Sequence, residues 1–279
     1  MPTESDQMFF LNPERKAPCQ ENMPLFVFLP GMDGTGELLH LQTESLHQSF
    51  DVRCLVIPSS STSDWSEMAD NVAVLIEQEL DQQARPVYLC GESFGGCLAQ
   101  KVVTRSPQLI DRLILVNPAS SFRQRPALAW GAQFTQYLPD ALYRLSCAGL
   151  LPFLAQLKKL DSCDRQALLR AMRSVSAEAS GWRLSLLKDF DVTDDELCQV
   201  NVPALIIAGV RDKLLPSLSE AERLIEVFPN AQMHVLFGSG HTCLLEYDVN
   251  LSQILQATQF VPQLQQSASA PISAQRRSG

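Results

Sequence analysis

One short stretch restricts the fold of this chain more than any other. The apolar run Val87 to Cys90 is followed directly by Gly91-Glu92-Ser93-Phe94-Gly95, and a helix-like segment then continues until Pro107. A strand, a G-x-S-x-G pentapeptide and a helix in this order hold a serine on a sharp turn at the end of a sheet strand. Gly91 and Gly95 leave out the side chains that so tight a turn cannot accommodate. The stretch therefore predicts a strand–turn–helix unit with a nucleophilic serine, Ser93.

Strand-like and helix-like segments alternate along much of the chain. The strand-like runs are Leu25 to Leu29, Asp51 to Ile57, Val87 to Cys90, Leu113 to Val116, Ala204 to Ala208 and Gln232 to Leu236. This alternation predicts an α/β fold with a mostly parallel sheet and helices on both faces.

The alternation stops between Ser121 and about Val200, where only helical patterns occur. We interpret this segment as a helical cap insertion over the end of the sheet. The predicted organisation is a first half of the core (1–120), the cap (121–200), a second half of the core (201–264) and a disordered tail (265–279).

Apolar residues recur in the cap at helical spacing. They are Trp130, Phe134, Leu138, Leu142, Leu145, Leu150, Leu151, Phe153, Leu154 and Leu157. We expect them to pack the cap onto the core. The alternative is that some of them line an acyl-chain tunnel or touch a membrane surface. The neighbouring Lys158 and Lys159 suit either lipid headgroups or an ordinary solvated face.

Composition excludes several classes of protein. The net charge of −9 argues against a nucleic-acid-binding surface. Eight cysteines without a C-x-x-C pair are typical of reduced thiols in a cytoplasmic protein. The polar N-terminus resembles no signal or transit peptide, and no apolar run is long enough for a transmembrane segment. We therefore expect a cytoplasmic location and leave a peripheral membrane contact open.

Two further residues complete a candidate catalytic triad. Asp212 follows the strand-like run Ala204 to Ala208, and His241 follows the last strand-like run. The chain order Ser93, Asp212, His241 is the one expected when the reactive groups lie beyond the carboxyl ends of parallel strands. The competing position for the acid, after Val116, carries Asn117. We therefore predict that Ser93 is the nucleophile, His241 the base and Asp212 the residue that orients the imidazole.

The glycine-rich loop Pro30 to Gly36 is the predicted oxyanion loop. It lacks the Lys-Ser/Thr of a P-loop, so nucleotide binding is not expected. We assign the oxyanion hole to the main-chain N–H groups of Phe94 and Met32, with Asp33 as an alternative to Met32. No metal-ligand spacing occurs, and no cofactor is predicted. Cys97 and Cys243 are interpreted as packing residues.

With these residues assigned, the chain resembles the α/β-hydrolase superfamily over nearly its whole length. It is most similar to the esterase/lipase/thioesterase-type branch that includes the phytyl ester synthases and diacylglycerol acyltransferases of plastids and cyanobacteria. The segments that carry the resemblance are Leu29 to Gly36, Phe50 to Pro58, Tyr88 to Leu98 and Leu115 to Phe122. The resemblance implies an α/β-hydrolase fold and transfer of fatty acyl groups from thioesters or glycerolipids to a long-chain alcohol or diacylglycerol.

The leading hypothesis is a serine-dependent acyl-ester or thioester hydrolase, or an acyltransferase, acting on lipid-like substrates through an acyl-enzyme. One alternative is a carbon–carbon hydrolase or lyase for small molecules on the same fold. Another is a catalytically weak receptor or sensor that retains the pocket.

Overall fold

The computed structural model describes residues 7–16, 23–125 and 139–261. The cap residues Trp130, Phe134 and Leu138 and the predicted tail 265–279 lie outside the described residues. The domain boundaries given above stay predictions.

A single sheet of seven strands forms the centre of the described part of the chain. The strands are β1 Phe9–Leu11, β2 Leu25–Leu29, β3 Asp51–Val56, β4 Val87–Glu92, β5 Arg112–Val116, β6 Ala204–Gly209 and β7 Ala231–Leu236. Their order across the sheet is β1-β3-β2-β4-β5-β6-β7. Only β1, at one edge, runs antiparallel to its neighbour. The predicted α/β class with a mostly parallel sheet is confirmed.

Helices connect the strands. Those in the described ranges are α1 His40–Leu46, α2 Trp65–Gln82, α3 Phe94–Arg105, α4 Asp140–Leu154, α5 Ser162–Ser174, α6 Ala177–Lys188, α7 Asp194–Leu197, α8 Ser217–Val227 and α9 Leu251–Ala257.

The sheet separates two apolar layers. Strand β2 is buried along its whole length, and its side chains alternate between the layers, as the two-residue period of a strand requires. Leu25, Val27 and Leu29 lie in the layer that α2, α3 and α8 cover. Phe26 and Phe28 lie in the layer that α1 and α9 cover. The helices therefore lie on both faces of the sheet.

Local capping signals were informative at one helix and misleading at another. Asp64 and Glu67 have the spacing of a capping box in the sequence, and they form one at the start of α2. Ser219 and Glu222 resemble such a box in the sequence, but α8 begins two residues earlier, at Ser217, and its N-cap residue, Pro216, provides no side-chain hydrogen bond. The sequence pattern therefore places the start of α8 two residues too late.

The helices between β5 and β6 fall into two groups. Leu186 and Leu187 of α6 belong to the large apolar layer of the sheet, and the indole of Trp65 donates a hydrogen bond to the carbonyl of Leu186 at 2.9 Å. In α4, by contrast, large side chains that were expected to pack onto the core are exposed: Leu142, Leu145, Leu150 and Phe153. The packing expectation is wrong for these four residues.

Candidate active site

The turn between β4 and α3 holds Ser93 in a strained conformation. Ser93 has φ 54° and ψ −114°, outside the regions that residues with a side chain normally adopt, at a cost of about 1–3 kcal/mol. A Cβ on Gly91 would lie 2.2 Å from the carbonyl oxygen of Gly95, and a Cβ on Gly95 would lie 2.0 Å from that of Leu29. Neighbouring backbone atoms therefore leave no space for a side chain at either position, as the G-x-S-x-G pattern predicts.

The structure brings Ser93, His241 and Asp212 together although they are far apart in sequence. The Nε2 atom of His241 lies 2.8 Å from Ser93 Oγ, and its Nδ1 atom lies 2.7 Å from Asp212 Oδ2. An N–H at Nδ1 that donates to the carboxylate leaves Nε2 free to accept the serine proton. The three side chains thus form one hydrogen-bonded chain in the order that nucleophilic catalysis requires.

Asp212 is held as a carboxylate by four donors. The main-chain N–H groups of Leu214 and Leu215 donate to Oδ1 at 2.8 and 3.0 Å, while the hydroxyl of Ser217 and the imidazole donate to Oδ2. Burial by itself raises the pKa of Asp212, but the charge of His241 and these hydrogen bonds outweigh burial and lower the pKa. The acid therefore stays ionised beside the histidine.

His241 is 1% exposed. Burial by itself lowers the pKa of His241, but the charge and hydrogen bond of Asp212, with a smaller contribution from Glu92, raise it above its ordinary value of 6.5. A histidine with a raised pKa holds firmly a proton that it accepts from a neighbouring group.

Glu92 precedes the serine and is buried near the histidine. Burial raises its pKa to about 8, although the charge of His241 acts in the opposite direction. Its Oε1 atom has no hydrogen-bond partner within the described part of the chain. Burial therefore favours the neutral carboxylic acid form of Glu92.

Asn117, which occupies the alternative position for the acid, supports the loop of His241. Its amide nitrogen donates to the carbonyls of Gly240 and His241 at 3.0 and 2.7 Å, and its side-chain oxygen accepts from the N–H of Gly209 at 2.8 Å. The residue is fully buried and has φ 43°, a conformation that asparagine tolerates better than most residues. Sequence reasoning missed this role, because an asparagine after a strand is most often a turn residue.

A buried carboxylate and a cap lysine fix the same loop from its other side. Glu246 accepts a hydrogen bond from the N–H of Gly240 at 2.8 Å, and Lys159 lies 3.4 Å from Glu246 and 2.8 Å from Asp248. The N–H of Thr242 donates to the carbonyl of Leu154 in the cap at 2.9 Å. Lys159 therefore joins the cap to the histidine loop rather than lying on an ordinary solvated face.

Of the two residues predicted for the oxyanion hole, Phe94 directly follows Ser93 and Met32 lies in a turn that adjoins it. Phe94 is the first residue of α3, where a main-chain N–H has no acceptor within the helix. Met32 is a central residue of a turn closed by the hydrogen bond from Gly34 N to Gly31 O at 3.1 Å. That turn adjoins the serine, because a Cβ on Gly31 would lie 3.9 Å from Ser93 Cβ.

The buried cysteines near the site, Cys97 and Cys243, are expected to be unreactive. Burial raises the pKa of both Cys97 and Cys243 well above the usual value for a thiol, so both remain protonated. Within the described ranges no cluster of three His, Cys, Asp or Glu side chains could hold a metal ion.

Comparisons with known proteins agree with this fold. Residues 59–248 match the hydrolase family described as serine aminopeptidase, S33. The chain is 31% identical to phytyl ester synthase 1, chloroplastic, of Arabidopsis thaliana over 265 residues, which are 85% of this chain and 37% of that protein. The chain thus spans little more than a third of the length of this relative.

Solved structures share the whole architecture at lower sequence identity. A hydrolase from Oleispira antarctica superposes with a TM-score of 0.71 at 15% identity and covers 90% of this chain and 93% of its own. The esterase EaEST from Exiguobacterium antarcticum gives a TM-score of 0.68 at 19% identity and covers 91% of this chain and 92% of its own.

The chain belongs to the serine aminopeptidase S33 family of the α/β-hydrolase superfamily. The proteins that it resembles within that superfamily include esterases and other hydrolases. None of the helices that the structure describes has the length and apolar character needed to cross a membrane.

Proposed function

We propose that this protein is a serine-dependent acyl-ester or thioester hydrolase with acyltransferase capacity, acting on lipid-like substrates. The observation that carries the proposal is the hydrogen-bonded chain Ser93–His241–Asp212, with its 2.8 and 2.7 Å distances. The strained backbone of Ser93 and the position of the Phe94 N–H at the start of α3 support the same role.

In the proposed mechanism Ser93 Oγ attacks the acyl carbonyl while its proton passes to His241 Nε2. The carbonyl oxygen becomes an oxyanion, which the N–H groups of Phe94 and Met32 stabilise. The carbon–heteroatom bond then breaks, and His241 gives its proton to the departing alcohol or thiol. Asp212 keeps the imidazole in the required tautomer and stabilises its cationic form throughout.

The acyl-enzyme is resolved by a second nucleophile, water or an alcohol, which loses its proton to His241 as it attacks the acyl carbonyl. The bond between the acyl carbon and Ser93 Oγ then breaks, and His241 returns the proton to Ser93. The likeness to phytyl ester synthase 1 favours a long-chain alcohol as acceptor. The exposed apolar side chains of α4, namely Leu142, Leu145 and Phe153, suit a lipid-like substrate or surface.

Replacing Ser93 tests the nucleophile. Ser93→Ala is expected to lower the hydrolysis of long-chain p-nitrophenyl esters by about 10⁴-fold or more, because every later step needs the acyl-enzyme. It should also abolish labelling by a fluorophosphonate. Ser146→Ala, on the exposed face of α4, is the matched control and should retain both. Activity or labelling that survives in Ser93→Ala would refute the proposal, and a wild-type protein that is not labelled would favour a binding module.

The acceptor is tested with a labelled acyl donor, with and without phytol or diacylglycerol. Acyl transfer predicts a labelled ester that appears only with the acceptor and is absent with Ser93→Ala. If free fatty acid is the product under all conditions, the protein is a hydrolase without transferase capacity.

A further inference from the structure

Arg183 of α6 reaches from the cap into the loops that follow β2 and β3. Its guanidinium donates to the carbonyl of Met32 at 2.6 Å, to that of Pro58 at 2.8 Å and, at the limit of a hydrogen bond, to that of Ile57 at 3.5 Å. The residue is 2% exposed, which makes it one of the largest fully buried side chains described. One arginine thus joins the candidate oxyanion loop to its neighbour.

The loop is shaped around this guanidinium. Gly34 has φ +68°, and a Cβ at this position would lie 2.8 Å from Arg183 Nη1 and 3.0 Å from the carbonyl of Ile57. The carbonyl of Gly34 accepts from the N–H of Ile57 at 2.8 Å. Gly34 therefore serves two needs at once: a left-handed backbone and space for Arg183.

Arg183 forms no ion pair within the described ranges; its hydrogen-bond acceptors there are neutral carbonyls. Burial lowers the pKa of its guanidinium, and the charge of Asp33 opposes this effect. A buried cation without a directly bonded carboxylate is costly, and an apolar side chain would fill the same space at lower cost. Simple packing between α6 and the core therefore does not explain an arginine here.

The contact between Arg183 and the carbonyl of Met32 suggests why an arginine occupies this position. The C=O and N–H groups of a trans peptide point in opposite directions. When Arg183 holds the carbonyl of Met32, it fixes the peptide between Met32 and Asp33 and the turn to which the Met32 N–H belongs. That turn adjoins Ser93 through Gly31.

We infer that Arg183 is a positioning residue that holds the oxyanion loop, residues 31–34, in the conformation that stabilises the transition state. The inference rests on the proposed function. It assigns a part in catalysis to a cap residue that does not itself contact the substrate.

The test compares Arg183→Met and Arg183→Lys with wild type in ester hydrolysis and in inhibition by an alkyl boronic acid. The boronate forms a tetrahedral anion on the serine and so measures oxyanion stabilisation directly. Loss of one oxyanion donor lowers kcat by about 10²–10³-fold, so a displaced loop in Arg183→Met should lower kcat by about 10–100-fold. KM should change less than about threefold, the boronate inhibition constant should rise in proportion to the fall in kcat, and Arg183→Lys should recover part of the loss.

Trp182→Phe is the matched control. Trp182 precedes Arg183 on α6, and its indole donates to the carbonyl of Ser63 at 3.1 Å, outside the oxyanion loop. The Trp182→Phe substitution removes an anchor of the same helix but no contact to the oxyanion loop. The kcat and boronate affinity of this variant should therefore stay within about threefold of wild type. Equal effects of Arg183→Met and Trp182→Phe would overturn the inference.

Two other outcomes are also decisive. If Arg183→Met does not fold, Arg183→Lys is compared with Trp182→Phe. A fall in kcat at unchanged KM then supports the inference, and an unchanged kcat overturns it. A wild-type protein without Ser93-dependent ester hydrolysis overturns the proposed function itself, and the inference with it.

Discussion

Ser93 and His241 share one hydrogen bond, but the turn that carries Ser93 and the loop that carries His241 are held in place by different interactions. Ser93 is held by close backbone packing at Gly91 and Gly95. Gly91 lies against the backbone of α3, and Gly95 lies against the backbone of β2. His241 is held by Asn117 from β5, by Glu246 and by the cap carbonyl of Leu154, which bonds Thr242. The position of Ser93 is thus fixed by steric contacts between backbone segments, whereas that of His241 depends on side-chain and backbone hydrogen bonds to distant residues.

The largest loss of stability is expected when the close backbone packing around Ser93 is disrupted. In Gly95→Ala the new Cβ would lie 2.0 Å from the carbonyl oxygen of Leu29, and neither backbone can move without breaking the sheet or α3. We expect a loss of more than about 4 kcal/mol in the free energy of unfolding, or failure to fold, measured by urea denaturation.

Gly149→Ala is the control for that experiment. Gly149 lies on the exposed face of α4, and a Cβ placed there would have no atom of the described residues within 4 Å apart from its own helix backbone. Alanine should therefore stabilise the helix by about 0.5–1 kcal/mol. A Gly95→Ala variant with the urea midpoint of wild type would show that the turn is not fixed by sterics.

A smaller loss of stability is expected when the hydrogen bonds that hold the His241 loop are disrupted. Asn117→Ala leaves two carbonyls and the N–H of Gly209 without their partners, which should cost about 2–5 kcal/mol of stability. Displacement of His241 should lower kcat by about 10–100-fold in variant protein that is still folded.

The control is Asn230→Ala, which removes one exposed amide that bonds the carbonyl of Asn201 at 2.9 Å and should leave kcat unchanged. Steady-state kinetics below the unfolding temperature of each variant compare the two. If kcat of folded Asn117→Ala stays within threefold of wild type, the histidine loop does not depend on Asn117.

The last effect appears only when the pH changes. The pKa of Glu92 is about 8 in the folded protein against an ordinary 4.5, so the folded state retains a proton that the unfolded chain releases. Wild-type stability that is present below about pH 4.5 is therefore lost as the pH rises to about 8. Glu92→Gln has no such proton and should gain stability relative to wild type between pH 5 and pH 9.

Urea unfolding at pH 5, 7 and 9 measures this difference. Glu226→Gln, which replaces an exposed carboxylate on α8, is the control and should show no comparable trend. A constant difference between Glu92→Gln and wild type at all three pH values would show that Glu92 is not a buried neutral acid.

The same contrast explains what the sequence could predict. The strands, the elbow and the capping box at Asp64 follow from short-range patterns, because neighbouring residues determine them. The positions of Asp212 and His241 follow from the rule that reactive groups lie at strand ends.

Asn117, Lys159 and Arg183 could not be assigned in this way. Each acts on a segment that is 87 to 151 residues away along the chain, and no local pattern specifies such a partner. Ser217 shows the same difficulty: its hydroxyl bonds Asp212 rather than capping α8. The exposed leucines of α4 follow the period of a helix, but periodicity does not reveal which surface a helix faces.

The burial of α6 matters for attempts to change substrate preference by exchanging caps with other hydrolases. Leu186 and Leu187 lie in the main apolar layer, Trp65 stacks on Phe94 beneath them, and Arg183 reaches the loop after β2. In a chimaera, residues from Ala177 onward should be inherited with the sheet, because a foreign helix here would alter the core and the loop beside Ser93 together. Only cap residues before Ala177 are suited to exchange. The new segment must still offer Thr242 a carbonyl where Leu154 now provides one, and Glu246 a cation where Lys159 now lies.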